Sequence, residues 1–146
     1  MNSKDKGNIC EAMVLAALIR EGHHVLVPFG DNLRYDLAVD VNGNLIRIQC
    51  KTARPVEGGI QFKTCSSQVH RGKGCLNYNN QAEYFGIYSP TTSECYLVPV
   101  KLCGGYQCTL RITTPKNRQK KFVRYAAQYK LGNIHLNLTN SMELLK

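Results

Sequence analysis

The dipeptide Asn42-Gly43 restricts the fold of this chain more than any other feature. An Asn-Gly pair accepts the two consecutive positive-φ positions of a type I′ turn, whose twist matches that of antiparallel strands. Tyr35 to Val41 precedes it and Asn44 to Ala53 follows, both alternating, so the spacing predicts a β-hairpin. A two-residue turn pairs Val41 with Asn44, Val39 with Ile46 and Leu37 with Ile48, which gives one apolar face. On the other face Asp36 is expected opposite Gln49, with Lys51 two residues further along, because side chains alternate on a strand. A slip of one residue would turn over both faces together.

The remaining chain fits around that hairpin without repeats, low-complexity tracts or an evident linker. Lys4 to Glu21 reads as a helix, with Ile9, Met13, Ala16, Ala17 and Arg20 at helical spacing and Gly22 as the stop. Its centre, Ala12 to Ile19, is apolar on every face and is expected to be largely buried. Val25 to Phe29, Ile60 to Ser66 and Thr109 to Thr113 read as strands, and Tyr84 to Ser89 with Cys95 to Val100 as a second hairpin. Thr114-Pro115 resembles a helix start. Phe122, Tyr125, Ala126 and Tyr129 continue at helical spacing to Gly132, and Ile134, Leu136 and Leu138 alternate as a last strand. The 146 residues make one domain, 1–146, of α/β (α+β) class with a mixed sheet.

Nineteen Lys and Arg against ten Asp and Glu give a net charge of +9, which favours a polyanionic partner such as nucleic acid. The polar amino terminus offers no secretory apolar region, and no apolar run approaches the roughly 18 residues needed to span a bilayer. A cytoplasmic protein without membrane association is therefore expected. In that setting the seven cysteines read as reduced thiols, and no Cys-x-x-Cys or His-rich spacing suggests zinc.

Asp36, Gln49 and Lys51 place oxygen ligands beside a cation. Magnesium takes hard oxygen ligands, and a neighbouring lysine can orient a water or balance charge on a phosphate. A polar, solvated strand face would carry the same residues. Glu11 is a lone carboxylate in an otherwise apolar helix, in a stretch expected to be buried, where an unpaired charge is costly. It needs Lys51, Arg47 or a metal nearby, so an ion pair and a metal role both fit.

These residues fall in a familiar order. Gly7-Asn8-x-x-Glu11, Val27-Pro28-x-Gly30, Tyr35-Asp36-Leu37 and Ile46-Arg47-Ile48-Gln49-Cys50-Lys51-Thr52 resemble the PD-(D/E)xK nuclease superfamily. The nearest resemblance is to homing endonucleases of cyanobacterial group I introns, with Tyr84-Phe85-x-Ile87-Tyr88 and the Arg- and Tyr-rich last third also similar. The resemblance implies a restriction-endonuclease-like core, a mixed central sheet flanked by helices. It makes Asp36 the central metal-binding acid, Lys51 the catalytic lysine and Glu11 the helix-borne acid. Tyr35 stands where the motif has proline. Gln49 stands where most members have Asp or Glu, which leaves Glu11, Asp36 and the Cys50 main-chain carbonyl to supply metal oxygens.

The expected function is a site-specific, magnesium-dependent double-stranded DNA endonuclease of the intron-homing kind, with one or two metal ions. One site per chain implies a homo-oligomer with two-fold symmetry and a pseudo-palindromic target. A Holliday-junction resolvase keeps the chemistry and changes the substrate. A non-catalytic nucleic-acid-binding module with a decayed site is the alternative that neutral Gln49 supports. Arg71, Lys73, Lys116, Arg118, Lys120, Lys121 and Arg124 are expected on phosphates, although a solvated helix face would carry similar charges. Asn77 and Asn79 are candidate base readers, because a carboxamide can pair bidentately with adenine.

Overall fold

A computed structural model describes residues 1–67, 74–117 and 123–136. Its first element is the helix α1, Ser3–Arg20. The Asn2 side chain caps it by accepting the Asp5 N–H at 2.9 Å, and Gly22 closes the other end at φ +88°. Strands β1 (His24–Leu26), β2 (Leu37–Val41) and β3 (Asn44–Thr52) follow. The predicted turn forms at Asn42 (φ 54°) and Gly43 (φ 85°), and Asp40 Oδ1 accepts the Gly43 N–H at 2.7 Å. The register is the expected one: Leu37 faces Ile48, Val39 faces Ile46 and Val41 faces Asn44.

Strands β4 (Arg54–Val56), β5 (Gly59–Lys63), β6 (Cys65–Ser67) and β7 (Cys75–Asn77) lie between the two hairpins. The second hairpin is β8 (Tyr84–Ser89) with β9 (Glu94–Pro99), and β10 (Gln107–Arg111) comes last. The main sheet runs β1-β2-β3-β8-β9, antiparallel except for the parallel β3–β8 pair. Strands β10-β5-β4 form a second sheet, and β6-β7 a small ribbon.

Alternation along β3 and β8 divides the core in two. Ile46, Ile48, Cys50 and Tyr84 pack with Cys10, Val14 and Leu18 of α1. Phe85 and Ile87 point the other way and pack with Ile60, Phe62, Cys108 and Leu110 of the second sheet. The layers are therefore helix, mixed sheet, small sheet, so the described residues flank the main sheet with a helix on one face only.

Three expectations are corrected. α1 is not buried all round. Cys10, Val14 and Leu18 face the sheet, while Ile9, Met13 and Ile19, from the stripe that the spacing picked out and beyond it, are exposed. A helix with apolar residues on all sides can bury only the stripe that meets its one neighbouring layer. The single strand read over Ile60 to Ser66 is two strands, because Thr64 turns aside to bond the loop before β10, its N–H to Tyr106 O and its hydroxyl to Gly105 O. Among the described residues the carboxy-terminal helix does not form. The Arg111 N–H takes the Arg124 carbonyl at 2.7 Å, and Lys130 bridges to Tyr96, so strand edges take backbone groups that a helix needs. What remains is two 3-10 turns, Ala126–Tyr129 and Leu131–Asn133, with no strand over Ile134 to Leu136. Leu138 and Phe122 lie outside the described residues.

Gly86 in β8 sets how closely α1 approaches. A Cβ built there would lie 2.8 Å from Val14 Cγ1 and 2.9 Å from Ile48 Cγ2, too close for any real contact. Gly86→Ala is expected to destabilise the protein by about 1–3 kcal/mol through overpacking, measured by urea unfolding. An unchanged midpoint would show that the helix–sheet spacing is not fixed here.

Candidate active site

The site forms where β2 begins late beside β3. The ladder between them starts at Leu37, and Asp36 stands just outside it. The Asp36 N–H bonds Ile48 O at 2.9 Å, and its Oδ2 accepts the Cys50 N–H at 2.9 Å. The side chain thus takes the donor that another β2 residue would have taken. Asp36 is therefore not a ladder partner of Gln49, as the sequence led one to expect; it caps the edge of β3. Backbone groups of alternate strand residues point to the same edge. Ile48 and Cys50 both turn theirs toward β2, so the Cys50 carbonyl also faces the place where β2 has ended.

Glu11 reaches that place from α1. Its half-buried carboxyl has a raised pKa, first because burial disfavours the charge, then because the Asp36 carboxylate repels it and accepts a hydrogen bond from it. The Asp36 pKa is also raised, again mainly by burial. The Cys50 N–H, the Lys51 ammonium and the bond from Glu11 each act against that rise without cancelling it. Two carboxyls share a site, and among the described residues neither has an ion-pair partner. Arg47, one of the cations considered for Glu11, is committed to Glu83: its Nε lies 3.1 Å from Oε2, its N–H donates to the same carboxylate, and its carbonyl accepts the Glu83 N–H.

Lys51 lies on the second face of β3, with Gln49, which is half-buried. Its Nζ donates to the Tyr78 hydroxyl at 3.2 Å and to the Cys65 carbonyl at 3.4 Å. Neither Tyr78 nor Arg34, which stacks on the Tyr78 ring at 4.0 Å, was among the residues singled out from sequence. Tyr78 sits 27 positions from Lys51 in a polar loop, and no periodicity links the two. Arg34 precedes Tyr35-Asp36 directly, but a lone arginine in a turn carries no signal of its own.

Among the described residues no three His, Cys, Asp or Glu side chains are grouped to hold a metal. A cation here would rest on the two carboxylates, completed by carbonyl or amide oxygens. That donor set suits a hard divalent ion such as magnesium, which keeps several waters. It also suits the electrostatics, since a cation would relieve the burial and repulsion that raise both pKa values.

The expected nucleic-acid contacts divide. Asn77 and Asn79 are exposed, although Asn77 Oδ1 already accepts the Asn79 N–H at 3.2 Å. Lys116 is exposed and pairs loosely with Glu57 at 3.4 Å. Arg124 is half-buried, its guanidinium donating to the Leu102 carbonyl and bonding the Tyr129 hydroxyl, so part of its bonding capacity is used within the fold. Arg71, Lys73, Arg118, Lys120 and Lys121 lie outside the described residues. No described helix is long and apolar enough to cross a membrane.

A family model described as PD-(D/E)XK endonuclease matches residues 1–132. The chain belongs to that family, whose members typically use divalent metals. Among solved structures, the bacterial homing endonuclease I-Ssp6803I is similar at TM-score 0.71 and 24% identity, with 89% of each chain covered. That likeness establishes the restriction-endonuclease-like fold. The Holliday junction resolvase Hjc of Archaeoglobus fulgidus aligns at TM-score 0.47 and 16% identity, over 73% of this chain and 84% of that one. No curated protein matches by sequence.

The two raised carboxyl pKa values carry a stability consequence. A carboxyl whose folded pKa lies above its ordinary value (3.8 for Asp36, 4.5 for Glu11) stabilises the fold fully below that value. The contribution is lost as pH rises through the raised value. Metal-free protein should therefore lose stability across that window, and Glu11→Gln should flatten the loss and raise the melting temperature at pH 7 by about 1–3 °C. Thermal melts from pH 4 to 8 in a chelator measure both. A variant that melts lower at pH 7 would mean that the Glu11 charge is stabilising.

Proposed function

We propose that this protein is a site-specific double-stranded DNA endonuclease of the intron-homing kind, hydrolysing phosphodiesters with magnesium. The observation that carries the reading is the meeting of the Glu11 and Asp36 carboxyls, from two different elements, beside Lys51 in a chain of an endonuclease family. Glu11, Asp36 and the Cys50 carbonyl would hold the ion. When bound, it would neutralise charge on the scissile phosphate and polarise the reacting oxygen.

The chain's own residues do the rest. Asp36 is held in place by the Cys50 N–H, so its carboxylate is oriented before substrate arrives. Lys51 is a compact positive charge able to stabilise the phosphorane-like charge that develops as water attacks. Gln49, two residues before it on the same face, offers an amide that can position the water. A neutral amide here leaves two carboxylates as the acidic complement, which matches the charge of one divalent ion. One such site per chain cuts one strand, so cleaving a duplex calls for a homo-oligomer with two-fold symmetry on a pseudo-palindromic target.

Cleavage of a random duplex library, with magnesium or with chelator, tests the reading, with four-way junctions in parallel. Metal-dependent cutting of linear duplex is expected. Cutting confined to junctions would make the protein a resolvase, and binding without cutting either substrate would make it a non-catalytic module. Lys51→Ala and Asp36→Ala should each lower single-turnover cleavage by roughly 10²–10³-fold or more, with DNA affinity nearly unchanged, because phosphate contacts elsewhere dominate binding. Either variant cutting near the wild-type rate would refute the assignment.

We assign phosphate contacts to Arg71, Lys73, Lys116, Arg118, Lys120 and Lys121, and leave Asn77 and Asn79 as base-reading candidates. Neutralising Lys120 and Lys121 together should reduce the slope of log K against log salt by about 1.8 if both touch duplex phosphates. Target discrimination should persist. An unchanged slope would move the interface away from this segment.

A further inference from the structure

We infer that Tyr78, clamped by Arg34, is the positioning residue that aims the Lys51 ammonium into the site; the inference rests on the nuclease reading above and deepens it. A lysine side chain has four rotatable bonds, and its ammonium is a point charge with three tetrahedral donors. Here two donors are fixed. One goes to the Tyr78 hydroxyl at 3.2 Å and one to the Cys65 carbonyl at 3.4 Å. Fixing two directions of a tetrahedral group fixes the third, which is left for the substrate phosphate. The Lys51 charge already acts on Asp36, so the ammonium lies within electrostatic reach of that carboxylate.

Both acceptors come from one piece of structure. Cys65 pairs with Asn77 in the β6–β7 ribbon, and Tyr78 follows Asn77 directly. That ribbon is tied to the strand-end segment carrying Asp36 by Arg34. The Arg34 guanidinium donates to Asn77 O at 2.6 Å, Leu76 O at 3.0 Å and Ser66 Oγ at 2.8 Å, and stacks 4.0 Å over the Tyr78 ring. The ring edge meets Phe85 of β8 at 5.7 Å and 87°. Tyr78 is therefore gripped on a face by Arg34 and at an edge by Phe85, with only 4% of its surface exposed. A side chain this buried does not reach a duplex itself; it acts through Lys51. Packing alone would be served by phenylalanine, so the hydroxyl is the atom that the inference turns on.

Tyr78→Phe keeps the ring and removes the hydroxyl. Single-turnover cleavage should slow by roughly ten- to a hundred-fold, the range a small misplacement of a reacting group costs, with DNA Kd unchanged. A second readout needs neither metal nor DNA. In protein labelled with 15N-lysine, the Lys51 ammonium signal, assigned by its loss in Lys51→Arg, should be protected from exchange in the wild type and broadened in Tyr78→Phe. Should Tyr78→Phe fail to fold, Arg34→Lys, which loses the planar stack, should broaden the same signal and slow cleavage in the same sense. Wild-type cleavage by Tyr78→Phe, or slowed cleavage with the ammonium signal unchanged, would overturn the inference. If the wild type cuts no DNA, the nuclease reading fails by itself. The ammonium signal then decides alone whether Tyr78 holds Lys51: broadening supports the hold, and an unchanged signal refutes it.

Discussion

The hydrogen bond from the Cys50 N–H to the Asp36 carboxylate is the interaction on which the site depends. An edge donor at the point where a strand ends must find an acceptor. Here the acceptor is a side chain and not another strand residue. That substitution ends β2, orients one carboxylate oxygen, and leaves the other directed where α1 delivers Glu11. It also turns the Cys50 carbonyl toward the same opening. A helix, a strand end and a strand edge therefore converge because one backbone donor was satisfied by a carboxylate.

The convergence needs α1 close to the sheet. Gly86 permits this, since any side chain there would strike Val14 and Ile48. Burial then has opposite effects on neighbouring groups along the α1 side of β3. It stabilises the apolar contacts of Cys10, Val14 and Leu18, and it destabilises the ionised forms of Glu11 and Asp36. The fold tolerates two poorly compensated carboxyls at its edge, as expected where function and stability compete. On the face of β3 turned from α1 Lys51 is handled differently: its ammonium is held by a hydroxyl and a carbonyl, with no carboxylate among the described residues within ion-pairing distance.

Much of this was legible in the sequence, for a local reason. The Asn42-Gly43 turn determines the register of Leu37 against Ile48 and of Val39 against Ile46 through turn geometry alone. Glu11 stood out because a carboxylate beside an apolar stretch requires a partner. Non-local competition hid the rest. Helical spacing around Tyr125 and Tyr129 lost to strand edges that Arg111 and Tyr96 present from elsewhere in the chain. The apolar circumference of α1 could not tell which stripe would meet the sheet. Tyr78 and Arg34 show themselves only once β6 and β7 bring Cys65, Ser66 and Asn77 around them.

The central claim is that Glu11 and Asp36 together form a seat for a divalent cation. The direct measurement is the thermal midpoint of the protein without DNA at neutral pH, in chelator and in increasing magnesium, for the wild type and Asp36→Asn. Ligand that binds only the folded state raises the midpoint in proportion to RT ln(1 + [L]/Kd). The account predicts a saturable rise for the wild type that is lost in Asp36→Asn. An equal rise in both proteins, or none in the wild type at any magnesium concentration, would contradict it.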